Sequence, residues 1–109
     1  MNNPHVYIDV QQTVIDANGQ LFDGVAEALG RLKTAGFRLY LWSSEGGYYA
    51  WETAEKHGLV YLFDGFLGKP DIIVDDMPHS VTTPHNYRLQ DAGSWDALVN
   101  GIIKQHIEH

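Results

Sequence analysis

The feature that most constrains the fold is a series of short β-prone runs, separated by helical stretches, each ending on polar residues. His5-Val6-Tyr7-Ile8 ends at Asp9, Phe37 to Trp42 ends at Ser43 and Ser44, and Asp71-Ile72-Ile73-Val74 ends at Asp75 and Asp76. Strands that alternate with helices are joined by crossovers, which makes the sheet mostly parallel. The expected architecture is α/β, a three-layer sandwich around a Rossmann-like sheet. Ligands of such sheets bind beyond the carboxyl ends of the strands. The polar residues at those ends are therefore the first to read chemically.

Local signals fill in the remaining elements. Asp23 is placed to cap a helix with apolar residues Val25, Leu29 and Leu32, ending before Gly36. Ser44 is a candidate cap for a second helix from about Gly46 to His57, stopped at Gly58. Behind Ser94, the residues Trp95, Leu98, Val99, Ile102, Ile103 and Ile107 recur at helical spacing. Val14 to Phe22 alternates around Asn18-Gly19 and reads as a β-hairpin. Leu59 to Phe63 is expected to be the third strand and Asn86 to Leu89 a fifth. The fourth, Asp71 to Val74, is apolar enough for a strand covered on both faces.

A chain of 109 residues with no repeat or linker is expected to form one domain, 1–109. Its formal net charge of -7 repels a nucleic-acid backbone or an anionic membrane, so neither is expected as a partner. Any phosphate it binds must meet a local cation. With no cysteine, disulfides, thiolate metal sites and cysteine nucleophiles are excluded. No apolar run approaches bilayer length and MNNPH lacks the regions of a signal peptide, so the cytoplasm is the expected compartment.

Strand-Asp9, Thr13 four residues on, strand-Ser43, Lys69 and strand-Asp75-Asp76 together resemble the haloacid dehalogenase (HAD) superfamily, in order along nearly the whole chain. LYLWSSEGGYYAWETAEKHGL followed by GKPDIIVDDMP is similar to its small hydrolases without a cap domain. The resemblance implies a phosphatase in which Asp9 attacks phosphorus and forms an aspartyl-phosphate. It implies that Ser43 donates to a phosphate oxygen, with Ser44 and the amides opening the Ser44-Glu45-Gly46-Gly47 turn as further donors. Lys69 neutralises nucleophile and phosphate. Mg²⁺ would be held by Asp9, the Gln11 carbonyl and Asp76, with Asp75 beside it.

The chain departs from that pattern at Gln11, where family members that hydrolyse ordinary esters carry the aspartate that protonates the leaving group and activates water. An amide does neither, and the loss typically costs about 10² to 10⁴ in rate. Positioning and charge stabilisation remain. Gln12, where glycine is usual, is a second departure. Three readings stay open: a slow phosphatase restricted to good leaving groups, a hydrolase with a substituted acid/base, and a non-catalytic binder of a phosphorylated small molecule or macromolecule.

Each residue also has a bland reading. Asp9 and Thr13 suit a strand-end turn, Ser43 and Ser44 a helix start, Lys69 a solvated loop, and Glu45 a first-turn acid favoured by the helix dipole. Asp75 and Asp76 are harder to dismiss, since adjacent acids at the end of a buried strand repel unless a cation compensates them. His79 and His85 lie on the following loop as candidates to replace the acid/base. Tyr48, Tyr49 and Trp51 cannot all face inward on one helix. Some of them are expected to cover the open site, within the chain or at a homo-oligomer interface. A receiver domain, which also takes phosphate on an aspartate, carries its acidic pair after the first strand, whereas here the pair follows the fourth.

Overall fold

A computed structural model describes residues 3–76 and 85–107, the Asn86 side chain excepted. The chain divides into two compact units, Met1–Lys69 and Pro70–His109. The first is an α/β unit with the element order β1 (His5–Asp9), α1 (Val25–Thr34), β2 (Arg38–Ser43), α2 (Gly47–Lys56) and β3 (Gly65–Gly68). Its three strands form a parallel sheet in the order β1-β2-β3, with Asp9 opposite Trp42 and Ser43 opposite Gly68. Because the strand order never reverses, right-handed crossovers carry α1 and α2 to the same face of this sheet. That face holds Leu39 and Leu41, both fully buried, with Leu29 from α1 and Ala50 and Ala54 from α2. Burying each leucine contributes about 1.5–3 kcal/mol.

Alternation along the strands puts His5, Tyr7 and Asp9, with Tyr40 and Trp42, on the other face. This face is aromatic. Tyr7 is 46 % exposed, and its ring centroid lies 5.1 Å from Tyr40 and 5.0 Å from Trp42.

Both helices of this unit stop where glycine was expected to stop them. At the end of α2, the Gly58 N–H donates to the Glu55 carbonyl and the Leu59 N–H to that of Ala54. This double bond pattern requires the left-handed backbone that Gly58 adopts, φ +71°. The helix starts differ from expectation. Gly24 and Gly46 occupy the N-cap positions without a side-chain cap, in place of Asp23 and Ser44. Glu45 accordingly precedes α2 and is not a first-turn acid.

The run Leu59 to Phe63 is not a strand. A 3₁₀ turn spans Val60–Leu62, burying Leu59 and Leu62 while Tyr61 stays 70 % exposed. That spacing of three belongs to a tight helix, and a half-buried strand would repeat every two residues. The third strand comes later, at Gly65–Gly68, where Gly65 lets the Tyr40 ring approach: a Cβ there would lie 2.9 Å from its Cδ1. The segment Val14 to Phe22 does fold back as a hairpin. It pairs through one antiparallel bridge, Ile15 to Leu21, and the Asp16 carboxylate accepts the Asn18 and Gln20 N–H groups.

Asp64 fastens the sheet to α1. Its Oδ2 accepts the Leu39 N–H at 2.8 Å, its own N–H donates to the Leu39 carbonyl, and Lys33 Nζ stands 3.5 Å from Oδ1. The Leu39 N–H above all, then Lys33, outweigh partial desolvation and hold this carboxyl below its ordinary value of 3.8. A depressed folded-state pKa adds stability above the unfolded value of about 3.9, and that stability is lost as pH falls through the folded value. The stability gap between the wild type and Asp64→Asn, from denaturant midpoints, is therefore expected to be constant near neutrality and to shrink below about pH 4.

The second unit contains β4 (Ile72–Val74), β5 (His85–Tyr87), α3 (Leu89–Ala92) and α4 (Trp95–His106). Its two strands pair in parallel, Ile72 opposite His85 and Val74 opposite Tyr87. Val74 is 42 % exposed, contrary to the expectation of a strand covered on both faces. Helix α4 starts as the sequence implies, with Ser94 Oγ accepting the Ala97 N–H. Of its apolar stripe Leu98 is buried, while Trp95, Val99, Ile103 and Ile107 are exposed. Tyr87 ties β5 to this helix, its Oη lying 2.5 Å from Gln105 Oε1 and 2.8 Å from His106 Nε2. No helix among the described residues is long and apolar enough to cross a membrane.

Candidate functional site

The carboxyl end of the first unit's sheet collects Asp9, Lys69 and the turns after β1 and β2. Asp9 closes β1, and Lys69 directly follows β3, where its N–H donates to the Ser43 carbonyl at 2.8 Å. That anchor lets the side chain reach back over the sheet. Lys69 Nζ stands 3.0 Å from Asp9 Oδ1 and 5.8 Å from the Trp42 ring centroid. Two residues 60 positions apart, both expected in one site, are thus in contact. Each remains about one-third exposed, so the pair can be reached by a solute.

After Asp9 the chain makes a narrow turn. Val10 and Val14 are buried, and the Val14 and Ile15 N–H groups both donate to the Val10 carbonyl. These two anchors push Gln11, Gln12 and Thr13 outward, all exposed. The Gln12 N–H donates back to the Ile15 carbonyl at 2.8 Å, and Gln12 has a left-handed φ of +59°. A non-glycine residue there carries about 1–2 kcal/mol of strain. Gln12 thus holds a backbone conformation that favours glycine.

The second turn is built around Ser43, which is fully buried. Its Oγ accepts the Glu45 N–H at 3.0 Å and its carbonyl accepts the Gly46 N–H at 3.0 Å. Two amides expected to face a phosphate are consequently engaged inside the turn. Ser44, exposed beside them, is the serine whose hydroxyl meets solvent. The turn lies hard against β3: a Cβ on Gly68 would come within 3.3 Å of Gly46 Cα, and one on Gly47 within 3.0 Å of the Phe66 carbonyl oxygen. Glycine at 47 and 68 lets α2 start directly above the strand end.

Of the aromatic trio on α2, Tyr49 packs against the core, whereas Tyr48 is 72 % exposed with its ring 6.0 Å from Trp51. The trio is divided between core and surface.

In the second unit, Asp75 and Asp76 follow β4 and both are exposed, Asp75 donating its N–H to the Tyr87 carbonyl. Water can solvate exposed carboxylates, so the argument from buried charge does not apply to them. His85 opens β5 and is not on a loop, its ring 4.3 Å from that of His106. His79 lies outside the described residues. Among the described residues no three of His, Asp and Glu gather closely enough to hold a metal ion.

The residue the sequence reading missed is Trp42. The sequence places it only at the end of the second strand, yet it is the register partner of Asp9 and lies under the Lys69 ammonium. Parallel pairing of β1 with β2 was the signal that would have found it.

Comparisons of the chain with family models, with curated proteins and with solved structures find no match.

Proposed function

We propose that this protein is a Mg²⁺-dependent phosphohydrolase of the HAD-like, uncapped type, acting through an aspartyl-phosphate on Asp9. The observation that carries the reading is the contact between Asp9 and Lys69 at the carboxyl end of a parallel sheet, where α/β units bind ligands. An ammonium has three donors. One serves Asp9, and the others are free to turn toward the oxygens of a phosphoryl group. The family assignment, with the three-layer sheet it implies, belongs to this proposal.

Lys69 lowers the repulsion between an incoming phosphate dianion and the carboxylate that attacks it. Ser44, exposed at the second turn, supplies a hydroxyl, while Ser43, fully buried, holds the turn in shape through the Glu45 N–H. The donors for Mg²⁺ are hard oxygens, as this ion prefers. On the first unit the Asp9 carboxylate and the Gln11 carbonyl, on the turn after β1, are of that kind. When bound, the ion neutralises charge on phosphate and carboxylates. Gln11 provides no proton, so the leaving group must depart with little help and turnover is slow on ordinary esters.

A second reading, a catalytically inactive domain that binds a phosphorylated ligand or partner, is favoured by one observation. Ser43 is fully buried with its Oγ engaged, which leaves fewer ready donors for phosphate than the family pattern implies. The two readings separate on an activated aryl phosphate assayed with Mg²⁺ and again after chelation. The enzyme releases the aryl alcohol with Mg²⁺ and falls to background without it. A binding domain takes up phosphate and releases nothing.

A further inference from the structure

We infer that the aromatic face beside Asp9 is a subsite for the ring of an aryl phosphate monoester, so that the substrate class is phosphate carried directly on an aromatic ring. The inference rests on the phosphohydrolase reading and deepens it. Asp9 and Trp42 are register partners on neighbouring parallel strands and share one sheet face. The Lys69 ammonium, 3.0 Å from the carboxylate and 5.8 Å from the Trp42 centroid, borders both groups at once. A phosphoryl group held by Asp9 and Lys69 therefore places a directly attached ring within the about 4.5–7 Å over which aromatic rings attract one another.

Trp42 is the near end of a longer tract. Tyr7 meets it edge-on at 74°, Tyr40 stacks on Tyr7 at 26°, and His5 follows at 5.2 Å from Tyr40. Faces of parallel sheets are usually aliphatic, because packing alone favours valine, isoleucine and leucine. Here the face carries flat rings, and Tyr7 among them is 46 % exposed. A polynucleotide would also present rings, but the net charge of -7 opposes a polyanion.

Within the phosphohydrolase reading, Gln11 favours the same class. Gln11 has no proton to give, so the leaving group must bear its own charge. When an Asp9 oxygen forms its bond to phosphorus, the ester P–O bond breaks and its electron pair leaves on the aryl oxygen. That phenolate is stabilised by its ring and takes a proton from solvent. Water then attacks phosphorus, releasing inorganic phosphate and restoring the Asp9 carboxylate. An alkoxide leaving the same site would depart far more slowly. The residue that is missing and the residues that are present thus select the same substrate.

The test compares phenylphosphonate with methylphosphonate, two ligands that cannot be hydrolysed, by calorimetry on the whole chain with Mg²⁺. The wild type is expected to bind the phenyl ligand roughly threefold to tenfold more tightly, the worth of one aromatic pair. Trp42→Leu should bring that ratio close to one, while Trp42→Phe should keep most of it. Tyr7→Leu, a change at an exposed side chain that the fold tolerates, should lower it as well. Equal binding of the two ligands by the wild type, or an undiminished ratio in Trp42→Leu and Tyr7→Leu, overturns the subsite and leaves the phosphate site standing. If neither phosphonate binds, the phosphate-site reading fails and the subsite fails with it.

Discussion

Asp9→Asn is expected to abolish turnover of an aryl phosphate, lowering kcat by about 10³-fold or more, because the amide has no anionic oxygen to attack phosphorus. The fold is expected to survive. Asparagine keeps the shape of the side chain, and its carbonyl oxygen can still accept from Lys69 Nζ, now 3.0 Å from Asp9 Oδ1. An ion pair this exposed contributes about 0.2–1 kcal/mol, so thermal unfolding should move little. Steady-state kinetics beside a thermal melt separates the two effects. Turnover that persists in a folded Asp9→Asn protein would remove Asp9 from the chemistry.

Gln11→Asp is expected to act in the opposite direction. On the proposed phosphohydrolase reading, a carboxyl at this exposed position on the turn after β1 supplies the proton donor that glutamine lacks. The gain should reach about 10² to 10⁴ on alkyl phosphates, whose leaving groups need protonation most. On an activated aryl phosphate it should be small. The two substrates measured on one variant therefore report acid catalysis specifically. A uniform change on both would point to binding or folding instead, and no gain on either would mean that position 11 is not where the acid acts.

Much of the architecture can be read from the chain, for local reasons. Gly36 and Gly58 end their helices, Ser94 caps α4, and β1 and β2 stop where polar residues begin. The failures are also local. Asp23 and Ser44 are good capping residues one or two positions early, and the glycines after them take the cap conformation without a side chain. Leu59 to Phe63 is as β-prone as any strand in the chain. Its fate was decided by the tight exit from α2 at Gly58, which starts a 3₁₀ turn.

The site was legible in part. Asp9 and Lys69 are both expected in one site, and folding brings them together because Lys69 hangs on the Ser43 carbonyl. Burial of Ser43 was not foreseeable from residue type. It follows from strand alternation, which sends 39, 41 and 43 to the core face and leaves 40 and 42 on the other. Trp42 escaped notice for the same reason, since a tryptophan at a strand end reads as packing until its register partner is known. His85, a candidate to replace the acid/base, opens β5 with its ring 4.3 Å from that of His106.

The measurement that bears most directly on the central claim is to quench the protein in acid during turnover of an activated, phosphorus-labelled aryl phosphate with Mg²⁺ and map the label by peptide. The account predicts one phosphoryl group on the peptide that contains Asp9, removed by hydroxylamine as an acyl phosphate is. Label on another residue, product accumulating with no labelled protein, or no product at all would contradict it.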